Sequence, residues 1–563
     1  MNKPISSSVF TREWFLPLGV SLVLSILVIL PFFWLGTASG HDFEFHAPSW
    51  LDVAYQWKQG IFFPRWTAWT NHGFGEPRFI FYPPLSWILG AALTLMFPDA
   101  AVPIVFIVLI QTLAGLAAYL LLRHMVPRRS AILGSAFYVV NPNALLLTYV
   151  RSDFAEQFAS AILPLLLLAT LRLCDLLDSS TRRSSVALFA LSFAGVWLCN
   201  APAAVIASYS VCLIIAWSAL IQASFRIVFR AAAALLLGFG LAAFYIIPAS
   251  YEQRWVNIAQ ALSSGLFPSQ NFLFTAIDDV EHTWFNWIAS ICVLSLVLLL
   301  ACTALASRRF SSALIRNSRI PATLLLLAGA ATFLTTRWSI SLWDLLPKLR
   351  FVQFPWRWIS VLALLAACFL AYVTDARRGW LWFAAALLLL LPLANFLIAN
   401  TWWDPDEMPI QREAIASGRG FDGTDEYDPI GDDHLDLPLD APLARALPAG
   451  SADNTTPPAK ITIDHWTTME KRIHVDAQSG ARIALRVLNY PAWRVAVNGH
   501  PLQPERMDDF NQMVVPVDPG VSEIHVWLTR TLDRKIGDVI SAFSVCVFLF
   551  LFWRSRKLVS AGQ

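Results

Sequence analysis

The sequence predicts an all-α polytopic membrane bundle of about twelve helices, followed by a small extracytoplasmic antiparallel β-sandwich near the C-terminus. Three observations predict it. The 563-residue chain is 56% hydrophobic and only 14% charged, with 24 Trp and 39 Phe. Apolar runs of about 20 residues recur from residue 14 to residue 399, the length that crosses a ~30 Å hydrocarbon core. In lipid such runs must be helices, because every backbone polar group has to be satisfied internally. From Lys460 the pattern changes to apolar–polar alternation, the period of half-buried strands.

The first run, roughly Trp14 to Gly36, follows Lys3 and Arg12. It is too long for a signal-peptide core and no small-residue cleavage site stands out, so it reads as an uncleaved first helix. An outer loop, 37–98, follows. Further spans are expected near 101–122, 131–149, 155–173, 185–200, 203–222, 230–248, 285–306, 320–336, 357–374, 380–399 and 536–553. The apolar stretch from Leu85 to Phe97 is short and bounded by Pro83-Pro84 and Pro98. The positive-inside rule decides its course. If it lies along or dips into the outer leaflet without crossing, the clusters Arg123/Arg128/Arg129, Arg308/Arg309/Arg316/Arg319, Arg377/Arg378 and Arg554/Arg556/Lys557 all face the cytoplasm. The acids Asp42, Glu44, Asp52, Glu76, Asp153, Glu156 and Glu252 then fall outside. The cytoplasmic loops are short and basic, and the outer loops are long, acidic and aromatic, so function belongs to the outer side.

Residues 1–399 thus form the transmembrane part and 400–459, rich in Pro, Asp and Gly, an irregular connector. Residues 460–532 form the β-sandwich, with a strong hairpin signal at Val495-Ala496-Val497-Asn498-Gly499-His500. Residues 533–563 are a final helix and a cytoplasmic tail.

A net charge of +2 leaves no electrostatic footprint for nucleic acid. The seven cysteines lie in or beside apolar runs, so no disulfide framework is expected in the polar segment, and zinc spacings are absent. His41, His46 and His72 lack ligand spacing on a defined element. No cofactor is expected; a divalent metal stays open but has no support in the ligand pattern.

The outer loop opens with His41-Asp42-Phe43-Glu44-Phe45-His46. In a strand Asp42, Glu44 and His46 share a face; in a helix Asp42 and His46 do. A carboxylate among aromatic side chains has its pKa raised toward a general base's range, while an interfacial loop with a membrane aromatic belt has the same composition. The loop also carries Trp50, Trp57, Trp66, Trp69 and Trp87, surfaces that suit sugar rings and lipid headgroups alike. At Arg151–Glu156, between the third and fourth helices, Arg151 suits a phosphate, and Glu156 orients it or pairs with Arg151 to close the turn. Before the tenth helix, Lys348, Arg350 and Arg357, with Trp356 beside the last, run against the positive-inside trend; they hold an anionic lipid phosphate or snorkel to headgroups. Glu252 and Arg254 form a weaker cluster.

With its first helix, acidic outer loop and non-crossing helix, the chain resembles the GT-C superfamily of membrane glycosyltransferases. More specifically it resembles the bacterial membrane family called "6-pyruvoyl-tetrahydropterin synthase related". The resembling stretches are His41-Asp42-x-x-x-His46, Phe81-Tyr82-Pro83-Pro84-Leu85, Arg151-x-x-x-x-Glu156, Phe244-Tyr245-x-x-Pro248-Ala249-x-x-Glu252, Gln353-Phe354-Pro355-Trp356-Arg357 and, in the β-domain, Tyr490-Pro491-Ala492-Trp493-Arg494-Val495-x-Val497-Asn498-Gly499. Nothing resembles a pterin synthase's zinc-binding histidines, and that activity is not carried over. The resemblance implies sugar transfer from a polyprenyl-phosphate-linked donor to a glycan, lipid or protein acceptor, outside a bacterial inner membrane. It implies Asp42 as the catalytic base, with Glu44 and His46 supporting it or binding substrate and Arg151 and Arg357 binding the donor phosphate; Glu44 is counted with Asp42 as a catalytic candidate, and Glu156, Glu252 and Trp356 join His46 as candidate substrate-binding residues. Its motif is Asp-x-Glu where the group has an adjacent acidic pair. A transporter or flippase for lipid-linked glycans and a non-catalytic scaffold for envelope assembly stay open as alternatives.

Overall fold

Helices follow the apolar runs. The computed structural model describes residues 7–177, 182–310, 319–376, 378–431, 437–447, 459–507 and 510–561; the cytoplasmic charges assigned to Lys3, Arg316 and Arg377 lie outside them. Among the described residues nine helices are long and apolar enough to cross a membrane, or up to eleven if each of two bent pairs is one span. The bends are 75° between Phe225–Leu241 and Ala243–Trp255 and 92° between Arg319–Leu334 and Arg337–Leu345. The helix Arg182–Cys199 carries a shorter apolar stretch, Ser185–Cys199. The described residues thus hold nine to eleven candidate spans against the expected twelve, the span expected at 185–200 being this shorter apolar stretch. Pro355–Thr374 runs through the centre with nearly every side chain buried, whereas Trp380–Ala399 and Leu532–Arg554 present most of theirs outward, as lipid-facing helices do.

Charges sort to the two ends. At one end Arg123 pairs with Glu13 at 3.1 Å, Arg172 contacts His124 at 2.7 Å and Arg230 pairs with Asp175. At the other lie Asp42, Arg151, Asp153, Glu156 and Arg357. The helix Phe154–Leu173 carries Glu156 in its first turn and Arg172 in its last, so about 16 residues at 1.5 Å each, roughly 24 Å, separate the two sets.

The stretch at 85–97 does not cross. Its helix, Pro84–Met96, has 13 residues, about 20 Å against a ~30 Å core. Both of its ends stay on the Asp42 side: Tyr82 precedes it in the site, and Asp99 beyond it pairs with Arg412 of the connector. It lies against the helix Phe43–Lys58, where Gly90 lets the Trp50 indole approach so closely that any Cβ would overlap it.

The β-sandwich has two antiparallel sheets. Strands β1 (Ala444–Leu447), β4 (Ala481–Leu488), β8 (Gln512–Val517) and β7 (Glu505–Arg506) form one, in that order. β2 (Ala459–Trp466), β3 (Glu470–Ala477), β9 (Gly520–Leu528), β5 (Trp493–Val497) and β6 (His500–Leu502) form the other. The alternating Ile473, Val475, Ile483, Leu485, Val487, Ile524 and Val526 are its core. The β5–β6 turn has positive φ at both Asn498 (50°) and Gly499 (77°), the type I′ geometry those residues favour.

The connector is more ordered than its composition suggests. It contains the helix Glu407–Ala416, and β1 pairs with β4 from Ala444↔Leu485 to Leu447↔Arg482. A four-residue edge strand is too short to show a period, and so read as loop.

Candidate active site

Two chain segments meet to build the site. Residues 38–42 leave the first helix and lie against the turn at 150–152. The Asp42 amide donates to the Arg151 carbonyl at 2.9 Å. The Gly40 amide donates to Ser152 Oγ at 2.9 Å, and that hydroxyl donates to the Ala38 carbonyl at 2.8 Å. A Cβ on residue 40 would overlap the Val150 carbonyl; only glycine permits this approach. The helix bearing Arg151 widens into a π turn over Leu147–Arg151 and ends at Ser152 in the left-handed region, φ 52°. Both features recur at functional sites, where they re-aim a side chain.

Asp42 precedes the helix Phe43–Lys58, and the His46 amide donates to the Asp42 carbonyl at 3.1 Å. The helical reading therefore holds: Asp42 and His46 share a face, and Glu44 points elsewhere. Arg151 donates through Nε to Asp42 Oδ2 at 2.7 Å and again through Nη2 to the same oxygen. Its Nη2 also reaches Asp153 Oδ2 at 3.2 Å. Asp42 Oδ1 takes no hydrogen bond from the described residues. Asp153 caps the next helix, accepting the Glu156 amide at 2.8 Å, and lies 3.7 Å from His46 Nε2 and 3.8 Å from Arg357 Nη2. Burial works against the Asp153 carboxylate, yet His46, Arg151 and Arg357 hold its carboxyl well below the ordinary range. Arg357 Nε is 3.2 Å from Glu156 Oε2, close enough for an ion pair but not aligned for a hydrogen bond.

His46, Arg151, Asp153, Glu156 and Arg357 are each at most 5% exposed. Taking an ion out of water costs several kcal/mol, so five ionisable groups gathered at a helix mouth mark a functional site. Four of these side chains keep buried polar atoms without hydrogen-bond partners: His46 Nε2, Arg151 Nη1, both Glu156 oxygens and Arg357 Nε. Trp356 closes the cluster from behind. It is 1% exposed, stacks on Phe354 at 5.1 Å and lies 5.2 Å from the Arg151 guanidinium.

Asp42, Arg151, Asp153 and Arg357 line one cavity of about 640 Å³, within the roughly 300–1,000 Å³ of small-ligand pockets. Phe45, Tyr82, Phe354 and Tyr427 supply aromatic walls. Glu426 also lines it, and burial pushes its carboxyl up to about 7.

Two expected site residues lie apart. Glu44 is exposed on the far side of its helix, where burial and the carboxylates of Glu407, Asp422 and Asp404 raise its carboxyl; two residues of helix turn it about 200° from Asp42. Glu252 is fully buried in a separate ion pair with Arg534 of the last helix at 2.7 Å. Arg151 and Glu156 do not pair with each other as the sequence suggested, because the π turn sends Arg151 toward Asp42. Of the three cations before the tenth expected span, Arg357 reaches the cavity and Lys348 and Arg350 are exposed. Asp153 and Glu426 were missed as site residues. Asp153-x-x-Glu156 has the spacing of a helix N-terminal capping box, which would have marked Asp153; Glu426 carries no comparable local signal. Among the described residues, no three His, Cys, Asp or Glu side chains converge as metal ligands would.

The model of the 6-pyruvoyl-tetrahydropterin synthase related domain, a membrane protein, matches residues 79–404. No curated protein sequence matches the chain. Among solved structures, the chain is similar to the oligosaccharyltransferase of Archaeoglobus fulgidus tethered with an acceptor peptide containing the NVT sequon. Identity is 15% and the TM-score 0.42, over 70% of this chain and 55% of that one. The archaeal oligosaccharyltransferase of the same organism in complex with an inhibitory peptide and a dolichol-phosphate gives 16% identity and a TM-score of 0.40, over 69% and 56%. The chain spans little more than half the length of these neighbours.

Proposed function

We propose that this chain, which belongs to the 6-pyruvoyl-tetrahydropterin synthase related membrane family, is a membrane glycosyltransferase that moves a sugar from a polyprenyl-phosphate donor to an acceptor outside the cytoplasm. One observation carries the reading: Asp42, with one carboxylate oxygen unengaged, shares a single cavity with Arg151, Arg357 and a set of aromatic walls. Asp42 accepts the proton of the acceptor hydroxyl or amide as that group attacks the anomeric carbon. The bond from that carbon to the phosphate oxygen breaks, and its electron pair leaves on the phosphate. Arg357 and the free Nη1 of Arg151 hold the developing charge, since guanidinium N–H groups match phosphate oxygens. Phe45, Tyr82 and Tyr427 offer faces to the sugar ring, and Glu426 takes a sugar hydroxyl. Each role rests on this chain's own side chains. Ionisable groups gather at helix mouths and not midway along broken helices, where a transporter holds its cargo.

The test is turnover by the purified protein with a panel of polyprenyl-phosphate sugars and simple acceptors, wild type against Asp42→Asn. Sugar transfer should fall by about a hundredfold or more, the range of general-base catalysis. Turnover that survives in Asp42→Asn would remove Asp42 from the role of base; no transfer from any donor by the wild type would remove the reading itself.

A further inference from the structure

A second cavity, of about 230 Å³, lies between the first loop and the β-sandwich, and none of its lining residues belongs to the first. Trp66 and Trp69 face it from the loop, and Trp466, Thr468, Lys471 and Arg486 from the sandwich. Lys471 is its unusual member. Its side chain is 3% exposed and its Nζ sits 4.0 Å from the centre of the Trp493 ring and 5.6 Å from that of Trp466. It donates one hydrogen bond, to the Thr468 carbonyl at 2.9 Å, and no carboxylate among the described residues pairs with it. Burial pushes its amine well below the ordinary lysine value. Lysine is almost never fully buried unless paired, and cation–π contact only partly replaces water around an ammonium. Arg486 hydrogen-bonds to carbonyls, those of His72 and Gly418, with the Asp440 carboxylate near enough to act on its charge. The buried Thr468 Oγ1 and Trp69 Nε1 have no partner at all.

A buried amine without a carboxylate, indole faces and unused polar atoms share one small space. We propose that this cavity binds one anionic sugar unit, of the uronate class, carried by an extracytoplasmic glycan. The carboxylate meets Lys471, the C–H face of the ring lies on indole, and the hydroxyls take Trp69 Nε1–H and Thr468 Oγ1. The volume falls just under the roughly 300–1,000 Å³ of drug-sized ligands and far above the roughly 10–15 Å³ that admits one water, which suits a single ring. The site stands independently of the transfer reaction, yet the two are joined. Asp52, on the helix that begins beside Asp42, accepts the Ala68 and Trp69 amides at 2.7 and 3.1 Å and so fixes the cavity's floor.

Intrinsic tryptophan fluorescence of the full chain in nanodiscs, titrated with methyl glucuronide, methyl glucoside and inorganic phosphate, tests it. The glucuronide should give a saturable change, the glucoside should bind at least about tenfold more weakly (about 1.4 kcal/mol), and phosphate should not compete. Lys471→Met should lose about tenfold for the glucuronide and Lys471→Arg should keep most of it. If Lys471→Met does not fold, Trp466→Leu at the partly buried rim should weaken both sugars. Asp42→Asn should leave all of this unchanged, which separates the site from the proposed transferase. Equal affinity for glucuronide and glucoside, tighter binding of phosphate than of the glucuronide, or no saturable response to any probe would overturn the proposal.

Discussion

Replacing Arg534 by Met should loosen the β-sandwich from the bundle. Glu252, at the end of the helix Ala243–Glu252, is 0% exposed. Arg534 donates through Nε and Nη2 to its two oxygens at 2.7 and 2.8 Å, and Tyr490 Oη donates to Oε2 at 2.6 Å. Tyr490 belongs to the sandwich core and Arg534 to the last helix, so one carboxylate ties three parts of the molecule together. Removing one partner of a buried ion pair costs about 3–5 kcal/mol. Tyr490 stays, and the stranded carboxyl can take up a proton, so the lower figure applies. About 3 kcal/mol is more than a hundredfold in the docking equilibrium. Hydrogen exchange of the amides of Tyr490, Ala492 and Trp493 and of 528–535 should accelerate by that factor in the single variant. A double Glu252→Met, Arg534→Met variant should recover most of the loss, falling short by roughly the 1 kcal/mol of the Tyr490 hydrogen bond. Wild-type exchange in Arg534→Met would refute the claim that this carboxylate anchors the sandwich.

Three further outcomes follow from the geometry. Burial raises the Asp52 carboxyl from its ordinary 3.8 to about 6, against three hydrogen bonds that favour the charged form. The folded state therefore holds the proton more tightly, and this contribution is complete below pH 3.8 and lost as pH rises through about 6; it amounts to about 3 kcal/mol. The stability of wild type relative to Asp52→Asn should fall by about that much between pH 4 and pH 7 in thermal melts, whereas a pH-independent difference would contradict it. Gly40→Ala should cost about 1–3 kcal/mol by overpacking against the Val150 carbonyl, and should lower transfer by displacing Asp42 while donor affinity through Arg357 changes less. Cysteines placed at Glu44 and His124 should label from opposite faces of the membrane, the first in intact cells and the second only after permeabilisation; labelling of both in intact cells would undo the threading.

What the sequence disclosed, and what it did not, divides by range. Spans were legible because burial in lipid demands apolar length, and the Asn498-Gly499 hairpin because positive φ at two successive positions selects those residues. The non-crossing helix was legible from its prolines and the arginines around it. Asp42, His46, Arg151, Glu156, Trp356 and Arg357 were named from local composition and do converge. Their pairing was not legible. Arg151 meets Asp42 across 109 positions, and the π turn that aims it has no sequence period of its own. Glu44 was misplaced because strand and helix readings of 41–46 share a pattern of six residues. Glu252 looked like a site residue because its partner, Arg534, lies 282 positions away. A buried carboxylate that holds domains together and one that handles substrate look alike until their neighbours are known.

In the proposed transfer Arg357 holds the phosphate of a lipid-linked donor while Asp42 faces the acceptor. Binding of a polyprenyl phosphate to the protein in nanodiscs, compared among wild type, Arg357→Met and Asp42→Asn, measures it directly. Charge-assisted hydrogen bonds to phosphate are worth about 1.5–3 kcal/mol, so Arg357→Met should weaken binding by about tenfold or more. Asp42→Asn should bind no more weakly than wild type, because Arg151 is then released toward the phosphate. Unchanged affinity in Arg357→Met would rule out a phosphate-holding role for Arg357.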